Sequence, residues 1–586
     1  MSEKMILSGN EAVARGAWEA GATFGSGYPG TPSSEILPAL NALGDCYTEW
    51  APNEKCALEA AAGASLAGAR CIVTMKHVGL NVAADPFFTL SYVGVNGGLV
   101  LLDADDPAMH SSQNEQDNRH FARAAKVPML EPSDSQEAKD FTRLAFEISE
   151  QFDTPVMVRT LTRVAHSEGL VELGERTVPA RECGPVRDAR KYVMIPAYAR
   201  ARRAFMQERT AKLTAFAEET EINCIEPGSP EIGIIASSVA YQYAREAAPD
   251  ASFLKLGMTW PLPPGKIRQF AASVEKLYVV EELDPYLRDQ ILALGIAVEE
   301  LPESLQLGEL SPERVAAGLR GEDVAPAASD LPPRPPVLCA GCPHRGVFIT
   351  LRKLKAFVTG DIGCYTLGTL PPLSALDTCL CMGAGIGEAH GIEMACGEKG
   401  KTVAVIGDST FVHSGITGLV NIAYNGGSSV VMILDNATTA MTGGQEHPGT
   451  GVTLSGRPGR LLDIPGICRA AGIPNVVTVD PRNLGQVEST LKQALESPEA
   501  WVIVAQCPCI LKARPDAFPR VIDEDKCIRC QVCVRIGCPA ISTEATDDPR
   551  KPQPRIDPVL CTGCNLCAQV CPVNAISEME GGACEV

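Results

Sequence analysis

The stretch that decides the fold runs from Thr402 to Gln445 and reads TVAVIGDSTFVHSGITGLVNIAYNGGSSVVMILDNATTAMTGGQ. Thr402–Ile406 and Ser428–Leu434 are short runs rich in Val and Ile, and each is typical of a buried parallel strand. Between them, Ser414 to Tyr424 has the apolar spacing of a helix. The stretch therefore predicts a β-α-β unit, in which ligands bind beyond the carboxyl ends of the strands.

Polar residues stand at the ends of both predicted strands. Gly407 and Asp408 follow the first strand, and Asp435 and Asn436 follow the second. A carboxylate and an amide oxygen at neighbouring strand ends suit Mg²⁺ carrying a diphosphate. Gly407 lets the backbone come close, and the following helix offers N–H groups to phosphate. The alternative is an ordinary β-α-β unit with a turn Asp and a turn Asn.

These strand ends resemble the thiamine diphosphate signature, a Gly-Asp-Gly followed further along the chain by Asn-Asn. Ser409 stands in place of the second glycine and Asp435 in place of the first asparagine. The two residues that bind the metal in the signature are retained here as Asp408 and Asn436. The resemblance implies a third Mg²⁺ ligand, the backbone carbonyl of Thr438. It also implies cofactor contacts at three further positions, which are Gly407, Ser409 and Met441.

Length and composition describe a large globular chain. Its 586 residues suffice for three to five domains with several cores. The net charge of −20 argues against nucleic acid or an anionic membrane as partner. No apolar run approaches the roughly 18 residues of a membrane span, and the N-terminus has no secretory signal. We expect a cytoplasmic protein, because its cysteine spacing indicates iron–sulfur ligation in a reducing compartment.

Alternating strand and helix patterns predict an α/β multidomain chain. The thiamine diphosphate resemblance implies a pyrimidine-binding domain over 1–185 and a transketolase-C-like domain with a connecting helix over 186–330. A diphosphate- and Mg-binding domain would span 331–515, and a two-cluster ferredoxin α+β module 516–586. A Pro/Ala-rich linker, Val324–Pro336, would join the second and third domains.

Glu54 is the candidate catalytic acid of the first domain. It opens the run Asn53–Arg70, whose small residues predict a helix packed closely against a neighbour or a cofactor. Thiamine diphosphate needs a buried carboxylic acid against N1′ of its aminopyrimidine. The Glu-x₈-Gly run from Glu54 to Gly63 resembles the pyrimidine-domain glutamate of such enzymes. The alternative is that Glu54 or Glu59 is a solvated acid in the first turn of a helix.

The run Cys339-Ala-Gly-Cys342-Pro-His344-Arg-Gly opens the third domain. A lone C-x-x-C can bind zinc or a cluster, and no second pair with matching spacing lies nearby. Further cysteines follow singly or in other spacing, namely Cys364, Cys379 and Cys381. The resemblance implies instead that Cys342 and His344 line the cofactor pocket. Three histidines are candidates for proton transfer, namely His344, His413 and His447.

The C-terminal cysteines form the most specific motif. Cys527-x₂-Cys530-x₂-Cys533-x₄-Cys538-Pro is followed by Cys561-x₂-Cys564-x₂-Cys567-x₃-Cys571-Pro. This is the bacterial two-cluster ferredoxin pattern with one extra residue before Cys538, and each close triplet shares its cluster with the distant cysteine of the other half. The predicted [4Fe–4S] ligand sets are Cys527, Cys530, Cys533 and Cys571 for one cluster, and Cys538, Cys561, Cys564 and Cys567 for the other. A zinc ribbon lacks the Cys-Pro ends and the third cysteine of each triplet.

Taken together, the motifs resemble the alpha subunit of indolepyruvate ferredoxin oxidoreductases over essentially the whole chain. The matching segments are Tyr28–Pro32, Glu54, Cys339–Arg345, Gly407–Ser409, Asp435–Asn436, Met441–Gln445 and the ferredoxin tail. Thr31, in the first of these segments, is an implied cofactor contact. The implied cofactors are thiamine diphosphate, Mg²⁺ and two [4Fe–4S] clusters.

The resemblance also implies a reaction and partners. The reaction is oxidative decarboxylation of an aryl 2-oxoacid, of the indolepyruvate or phenylpyruvate type, with CoA and oxidised ferredoxin. Its products would be arylacetyl-CoA, CO₂ and reduced ferredoxin. A smaller beta subunit, corresponding to a gamma-type domain, would complete an α2β2 hetero-oligomer. Two alternatives remain at this point. One is a non-oxidative thiamine diphosphate decarboxylase or lyase with a structural Fe–S tail, and the other is a non-catalytic electron-transfer subunit.

Overall fold

The structure is a computed structural model that describes residues 3–180, 184, 186–324, 332, 335–397 and 402–579. The chain divides into two compact units, 1–330 and 331–586. Most of the predicted linker at 324–336 lies outside the described residues. In the described part of the chain, no helix is both long and apolar enough to cross a membrane.

A seven-stranded sheet forms the centre of the first unit. Its order is Met258–Trp260, Met129–Leu130, Val156–Leu161, Leu99–Asp105, Cys71–Lys76, Phe24–Gly27 and Tyr47–Trp50. All neighbours are parallel except Met258–Trp260, which is antiparallel to Met129–Leu130 and comes from the predicted second domain. The α-helices of this part are Gly9–Glu19, Ile36–Leu43, Glu54–Leu66, His77–Val82, Ala84–Val93, Arg119–Ala125, Ser135–Phe152 and Thr162–His166. The carboxyl ends of Phe24–Gly27 and Cys71–Lys76 therefore lie side by side.

A four-stranded sheet occupies the later part of the first unit. Its order is Lys276–Val280, Ser229–Ala236, Ala251–Leu256 and Asn223–Glu226, and only the last strand is antiparallel. The predicted connecting helix is observed as a short turn, Ala189–Tyr192, and a long helix, Pro196–Glu219. The remaining α-helices are Ser238–Ala247, Pro264–Ala271, Tyr286–Ala293 and Pro312–Leu319. A separate antiparallel pair joins Lys4–Ser8 to Glu168–Glu172.

The second unit contains a six-stranded parallel sheet. Its order is Thr378–Cys379, Val358–Gly360, Val403–Gly407, Val430–Asp435, Trp501–Gln506 and Asn475–Val479. The flanking α-helices are His344–Leu354, Ala384–Cys396, Ile416–Tyr424, Ile464–Ala470 and Leu484–Glu496. Residues Val403 to Ile406 are fully buried, as are Val430 to Ile433. The α/β fold expected from the alternating pattern is confirmed.

The connection after the strand Val403–Gly407 differs from the prediction. Helical backbone begins at Asp408–Thr410 and passes through a π-helical turn, Phe411–Gly415, before Ile416–Tyr424. The apolar spacing used for the prediction starts only at Ser414, so it does not detect the polar first turn. A β-carbon added to Gly415 would lie 2.7 Å from the side chain of Ile406, so the turn approaches the strand closely. Such π-helical turns are frequent at functional sites.

The C-terminal module pairs Arg520–Ile522 with Ile576–Glu578 and Ile541–Glu544 with Gln553–Ile556, both antiparallel. A short helix, Leu566–Gln569, contains Cys567, the last cysteine of the second triplet. Its small core contains two of the motif cysteines, Cys533 and Cys567. The α+β character of this module agrees with the ferredoxin expectation.

Candidate functional site

The parallel register brings the two predicted strand ends together. Gly407 lies opposite Leu434, so Asp408 follows its strand beside the residues after Asp435. Asp408 is 2% exposed, and its Oδ2 accepts a hydrogen bond from the backbone N–H of Ala437 at 2.8 Å. Its Oδ1 accepts the N–H of Ser409 at 2.9 Å. The carboxylate is thus fixed by backbone donors from both strand ends.

Asn436 and Thr438 stand on a tight loop over Asp408. Ala437 between them has φ of 55°, a left-handed conformation that non-glycine residues rarely adopt. The N–H of Thr438 donates to Asn436 Oδ1 at 3.2 Å, and both side chains are buried. Such strained backbone persists only where the surroundings enforce it, often at ligand sites. The loop therefore gathers Asp408, Asn436 and Thr438 at one place.

The charges at this place favour a cation. Burial, and then the neighbouring charge of Asp408, raises the pKa of the Asp435 carboxyl. The imidazole of His447 contacts Asp408, because its Nε2 lies 3.2 Å from Asp408 Oδ2. Carboxylate, amide and carbonyl oxygens are the ligand types that Mg²⁺ prefers. The donor set at the strand ends thus fits a divalent cation that would also offset the paired carboxylates.

His344 completes this side of the site. Its Nε2 lies 3.4 Å from Asn436 Nδ2, and its ring meets the Tyr365 ring edge-on at 6.3 Å. Burial lowers the pKa of His344 to about 4, so the imidazole is neutral at pH 7 and accepts the amide N–H of Asn436. Burial also raises the pKa of the Cys342 thiol to about 12, which keeps it protonated. Both residues present neutral groups to the site.

The remaining predicted residues of this unit lie in varied environments. A β-carbon on Gly407 would meet the Tyr365 ring at 2.8 Å, and Ser409 Oγ accepts a hydrogen bond from Thr439 Oγ1 at 2.8 Å. His413 is buried within the π-helical turn, whereas the side chain of Met441 is 48% exposed. The structure therefore groups Ser409 with the Asp408 loop and leaves Met441 at the surface of the chain.

Asp361 is a site candidate that the sequence reasoning missed. It follows the strand Val358–Gly360, is fully buried, and accepts a hydrogen bond from the Tyr365 hydroxyl. Burial raises the pKa of Asp361 to about 8, so it is largely a neutral acid at pH 7. The signal available in the sequence was Gly360-Asp361 after a short apolar run, the same pattern as Gly407-Asp408.

In the first unit, Glu54 is buried and Glu59 is not. Glu54 is 6% exposed at the first turn of the helix Glu54–Leu66, which Asn53 caps by accepting the N–H of Cys56 at 2.9 Å. A β-carbon on Gly79 would lie 2.6 Å from Glu54 Oε1, so the carboxyl packs against that backbone. Glu59 is exposed and pairs with Lys55. Burial thus distinguishes Glu54 from the solvated acid considered as its alternative.

Thr31 lies on a loop that follows the strand Phe24–Gly27. Its backbone carbonyl accepts the Ser111 hydroxyl at 3.3 Å, and its side chain is partly exposed. Ser33 closes the loop, because its hydroxyl donates to the carbonyl of Gly30 at 2.9 Å. The loop is therefore held at the carboxyl edge of the seven-stranded sheet, on the same edge as Glu54's contact with Gly79.

Four cysteines outside the C-terminal module also lie near one another. After burial, the nearby thiols of Cys339 and Cys364 also raise the pKa of Cys342. Those of Cys509 and Cys339 likewise raise the pKa of Cys364. Burial is the main cause that raises the pKa of Cys364 to about 11. The sequence showed no second pair with matching spacing, because Cys364 and Cys509 are far along the chain.

The C-terminal module contains two cavities, each lined by four cysteines. One is lined by Cys538, Cys561, Cys564 and Cys567. The other is lined by Cys527, Cys530, Cys533 and Cys571. In each cavity a close triplet meets the distant cysteine of the other half, and the rest of the lining is mainly apolar. Four thiols around an apolar cavity are the donor set that a [4Fe–4S] cluster requires.

Family models match three parts of the chain. Residues 15–212 match the thiamine diphosphate-binding domain of pyruvate flavodoxin/ferredoxin oxidoreductases. Residues 361–505 match the C-terminal TPP-binding domain of thiamine pyrophosphate enzymes, and residues 520–579 match the 4Fe-4S dicluster domain. The fold and sites therefore define a thiamine diphosphate-dependent oxidoreductase that carries its own pair of iron–sulfur clusters.

Curated relatives match over nearly the full length. The indolepyruvate oxidoreductase subunit IorA of Archaeoglobus fulgidus is 41% identical, covering 99% of this chain and 98% of the relative. The proteins of the same name from Methanothermobacter thermautotrophicus and Pyrococcus abyssi are 41% and 40% identical, over 99% of this chain and 98% of each relative. The chain belongs to the family of indolepyruvate oxidoreductase alpha subunits.

Family membership bears on the alternatives left open by the sequence. An enzyme of this family performs thiamine diphosphate-dependent oxidation of 2-oxoacids with ferredoxin. Neither a non-oxidative lyase nor a non-catalytic electron-transfer subunit agrees with that assignment. The zinc ribbon considered for the C-terminal cysteines is likewise replaced by the dicluster domain.

We predict that Asp408→Ala and Asn436→Ala each lower Mg²⁺ affinity at least about tenfold, because each removes an oxygen ligand at the strand ends. Bound thiamine diphosphate should fall with it, while the iron content stays unchanged. Cofactor and iron are measured in the same preparation after desalting. Glu496→Ala, an exposed carboxylate of the same sheet domain, is the control. Full thiamine diphosphate occupancy in both variants would remove the site assignment.

Proposed function

We propose that the chain, together with a smaller beta subunit, oxidatively decarboxylates aryl 2-oxoacids of the indolepyruvate or phenylpyruvate type. CoA is acylated to arylacetyl-CoA, its thiol proton is released, and CO₂ leaves. Two electrons pass one at a time to two molecules of ferredoxin, so charge and atoms balance. The observation that carries the proposal is that one chain has both the strand-end sites and two cavities of four cysteines.

The cofactor-binding roles follow from the donor types. Asp408, Asn436 and the Thr438 carbonyl would hold Mg²⁺ with the diphosphate, and Gly407 and Ser409 would contact the diphosphate. Thiamine diphosphate, when bound, accepts the electron pair that remains after the carboxylate leaves as CO₂. Neutral His344 would orient Asn436 through its Nε2 contact without adding a second positive charge beside Mg²⁺.

Glu54 would hold a proton at the aminopyrimidine. Its burial against Gly79 shields the carboxyl from water on that side. A carboxyl at this position can hydrogen-bond the N1′ nitrogen of the aminopyrimidine. The exposed Glu59, paired with Lys55, lacks this environment. Glu54 is therefore the proposed catalytic residue of the first unit.

The electron-transfer half uses crossed ligand sets. We assign one [4Fe–4S] cluster to Cys527, Cys530, Cys533 and Cys571, and the other to Cys538, Cys561, Cys564 and Cys567. Two one-electron clusters match the two electrons released by each 2-oxoacid. We further propose an α2β2 assembly with the smaller subunit, which supplies the gamma-type domain, and a reducing cytoplasmic location that keeps the thiols available for iron.

The test of the function is a substrate panel. The chain is purified anaerobically with its smaller subunit and supplied with CoA, a viologen acceptor and one 2-oxoacid at a time. We expect indolepyruvate and phenylpyruvate to reduce the viologen at a higher kcat/KM than pyruvate or 2-oxoglutarate. Reactions without CoA are the control and should give little reduction. CO₂ release that continues without any acceptor, or a preference for pyruvate, would contradict the proposal.

We predict that Glu54→Gln keeps thiamine diphosphate bound but slows proton exchange at C2 of the thiazolium at least about 100-fold, as for loss of a general acid. The contact is with the aminopyrimidine, so affinity should change less than exchange. Exchange is followed by NMR after quenching in deuterated buffer. Glu59→Gln, an exposed acid on the same helix, is the matched control and should behave as wild type. Wild-type exchange in Glu54→Gln would exclude Glu54 from this role.

A further inference from the structure

Lys76 is a buried lysine for which the proposed mechanism has no role. It is the last residue of the central strand Cys71–Lys76 and is 9% exposed. Its Nζ donates to the carbonyl of Ser111 at 2.6 Å. Among the residues that the structure describes, no carboxylate oxygen lies within 4.0 Å of this ammonium. The Lys76 ammonium can donate three hydrogen bonds, and the acceptor found for it is one neutral carbonyl.

Asp106, the acid whose charge acts on Lys76, already accepts hydrogen bonds from other residues. Asp106 accepts the N–H of Ser111 at 2.8 Å and the hydroxyls of Ser112 and Thr162 at 2.5 and 2.8 Å. Burial lowers the pKa of Lys76 to about 8, and the charge of Asp106 only partly opposes this. A buried cation without a paired anion is costly. An anionic ligand at Lys76 would remove that cost.

Lys76 also lies near two residues assigned to the cofactor, Thr31 and Glu54. A β-carbon on Gly30 would be 2.8 Å from Lys76 Cβ, so the lysine packs directly against the loop that carries Thr31. Ser111, its acceptor, also contacts the Thr31 carbonyl. Gly79, three residues after Lys76, packs against the Glu54 carboxyl. The adjacent His77 is fully buried, and its Nδ1 has no hydrogen-bond partner in the described part of the chain.

We propose that the Lys76 ammonium binds the carboxylate of the 2-oxoacid substrate, an inference that rests on the proposed function. A charge-assisted N–H···O bond would both anchor the substrate and neutralise the buried cation. When the C–C bond to the carboxylate breaks, the electron pair stays with the organic fragment and neutral CO₂ departs. Lys76 thus favours the bound 2-oxoacid over the departing CO₂, so its removal should affect KM more than kcat.

The test compares Lys76→Met with Lys55→Met in the holoenzyme complex. Lys55 is an exposed lysine of the neighbouring helix and is the matched control. We expect KM for the 2-oxoacid to rise at least about tenfold in Lys76→Met, the loss of one charged hydrogen bond, with kcat changed less. Thiamine diphosphate content and C2 proton exchange should remain as in wild type. An unchanged KM, or loss of C2 exchange, would overturn the proposal.

A binding measurement separates this site from the function itself. Calorimetry measures 3-phenylpropionate and its neutral amide, 3-phenylpropionamide, on both variants and wild type. We expect only the carboxylate to bind more weakly to Lys76→Met, again about tenfold or more. Equal weakening of acid and amide would indicate altered packing and overturn the site. Carboxylate-selective loss in a complex that oxidises no 2-oxoacid would support the site and overturn the proposed function.

A second and independent observation concerns the two cysteine cavities. The cavity of Cys538, Cys561, Cys564 and Cys567 is also lined by Gly341 and Arg345, from outside the C-terminal module. Among the described residues, the other cavity is lined by residues from Ile522 to Ile576 and none from outside the module. Arg345 is 2% exposed, and its guanidinium donates to the carbonyl of Ile536 at 2.8 Å and that of Leu338 at 2.7 Å.

Arg345 directly follows His344 in the chain. His344 contacts Asn436 in the strand-end site, while Arg345 reaches the wall of one cysteine cavity. Two consecutive residues therefore span from the proposed diphosphate site to that cavity. Electron-transfer rates fall steeply with distance, so the cavity in direct contact with this segment has the shorter route.

We infer that the cluster of Cys538, Cys561, Cys564 and Cys567 is, of the module's two, the first to receive an electron. The cluster of Cys527, Cys530, Cys533 and Cys571 then passes it to the external acceptor. This order rests on the proposed ligand sets and uses only the oxidant, ferredoxin, that the proposed reaction already contains.

Freeze-quench EPR of two cysteine variants tests the order. In Cys571→Ser, 2-oxoacid and CoA should reduce the remaining cluster near the wild-type rate, while ferredoxin reduction falls at least about tenfold. In Cys564→Ser, reduction of the remaining cluster itself should slow at least about tenfold. The reverse pattern would overturn the order.

A third variant, Arg345→Lys, tests the order of reduction even where a cysteine variant loses both clusters. It keeps the charge and both clusters but alters the surroundings of one, so it should change the line shape of one EPR signal. That signal should be the first to appear after mixing with substrate. A changed signal that appears second would contradict the order.

Discussion

The parallel pairing of Val403–Gly407 with Val430–Asp435 is the constraint on which the strand-end site depends. Its register sets Gly407 opposite Leu434, and only then can Asp408 accept the N–H of Ala437 at 2.8 Å. A shift of one residue would turn every side chain to the opposite face. Because the Val and Ile side chains of both strands are fully buried, packing on both faces holds the register. The site geometry thus derives from apolar residues that never contact a ligand.

The C-terminal module depends on a different interaction. Its buried core is small, formed mainly by Ile522, Ile536, Leu566 and Ile576 together with Cys533 and Cys567. So little apolar burial stabilises a domain of this size weakly. Cysteine sulfurs occupy the core positions that a larger domain would fill with side chains, so cluster binding contributes directly to folding free energy.

Much of this fold and part of the site can be predicted from local pattern. Val/Ile runs predicted the central strands, and cysteine spacing predicted the dicluster domain, because both signals lie within a few neighbouring residues. The burial of Glu54 could not be predicted that way. Glu54 and Glu59 lie on one helix, and only the tertiary structure shows that Glu54 is buried and Glu59 exposed. Lys76 gave no local signal for the same reason.

Groupings that join distant parts of the chain were also beyond prediction. The charge of Cys509 affects Cys364, although the two residues are far apart in the sequence. The π-helical turn Phe411–Gly415 depends on the close approach of Gly415 to Ile406. Each arises from contacts between elements, for which a single sequence contains no periodic signal.

The segment Cys339–Gly346 joins the strand-end site to the cysteine module within the second unit. A β-carbon on Gly346 would lie 1.9 Å from the backbone carbonyl of Pro481, and one on Gly341 would lie 2.0 Å from the Thr562 hydroxyl. Gly341 also has φ of 71°, which favours glycine. The segment is thus held against both the sheet domain and the cysteine module by backbone contact. Within this unit, the distance between the strand-end site and the nearer cavity is therefore set by packing.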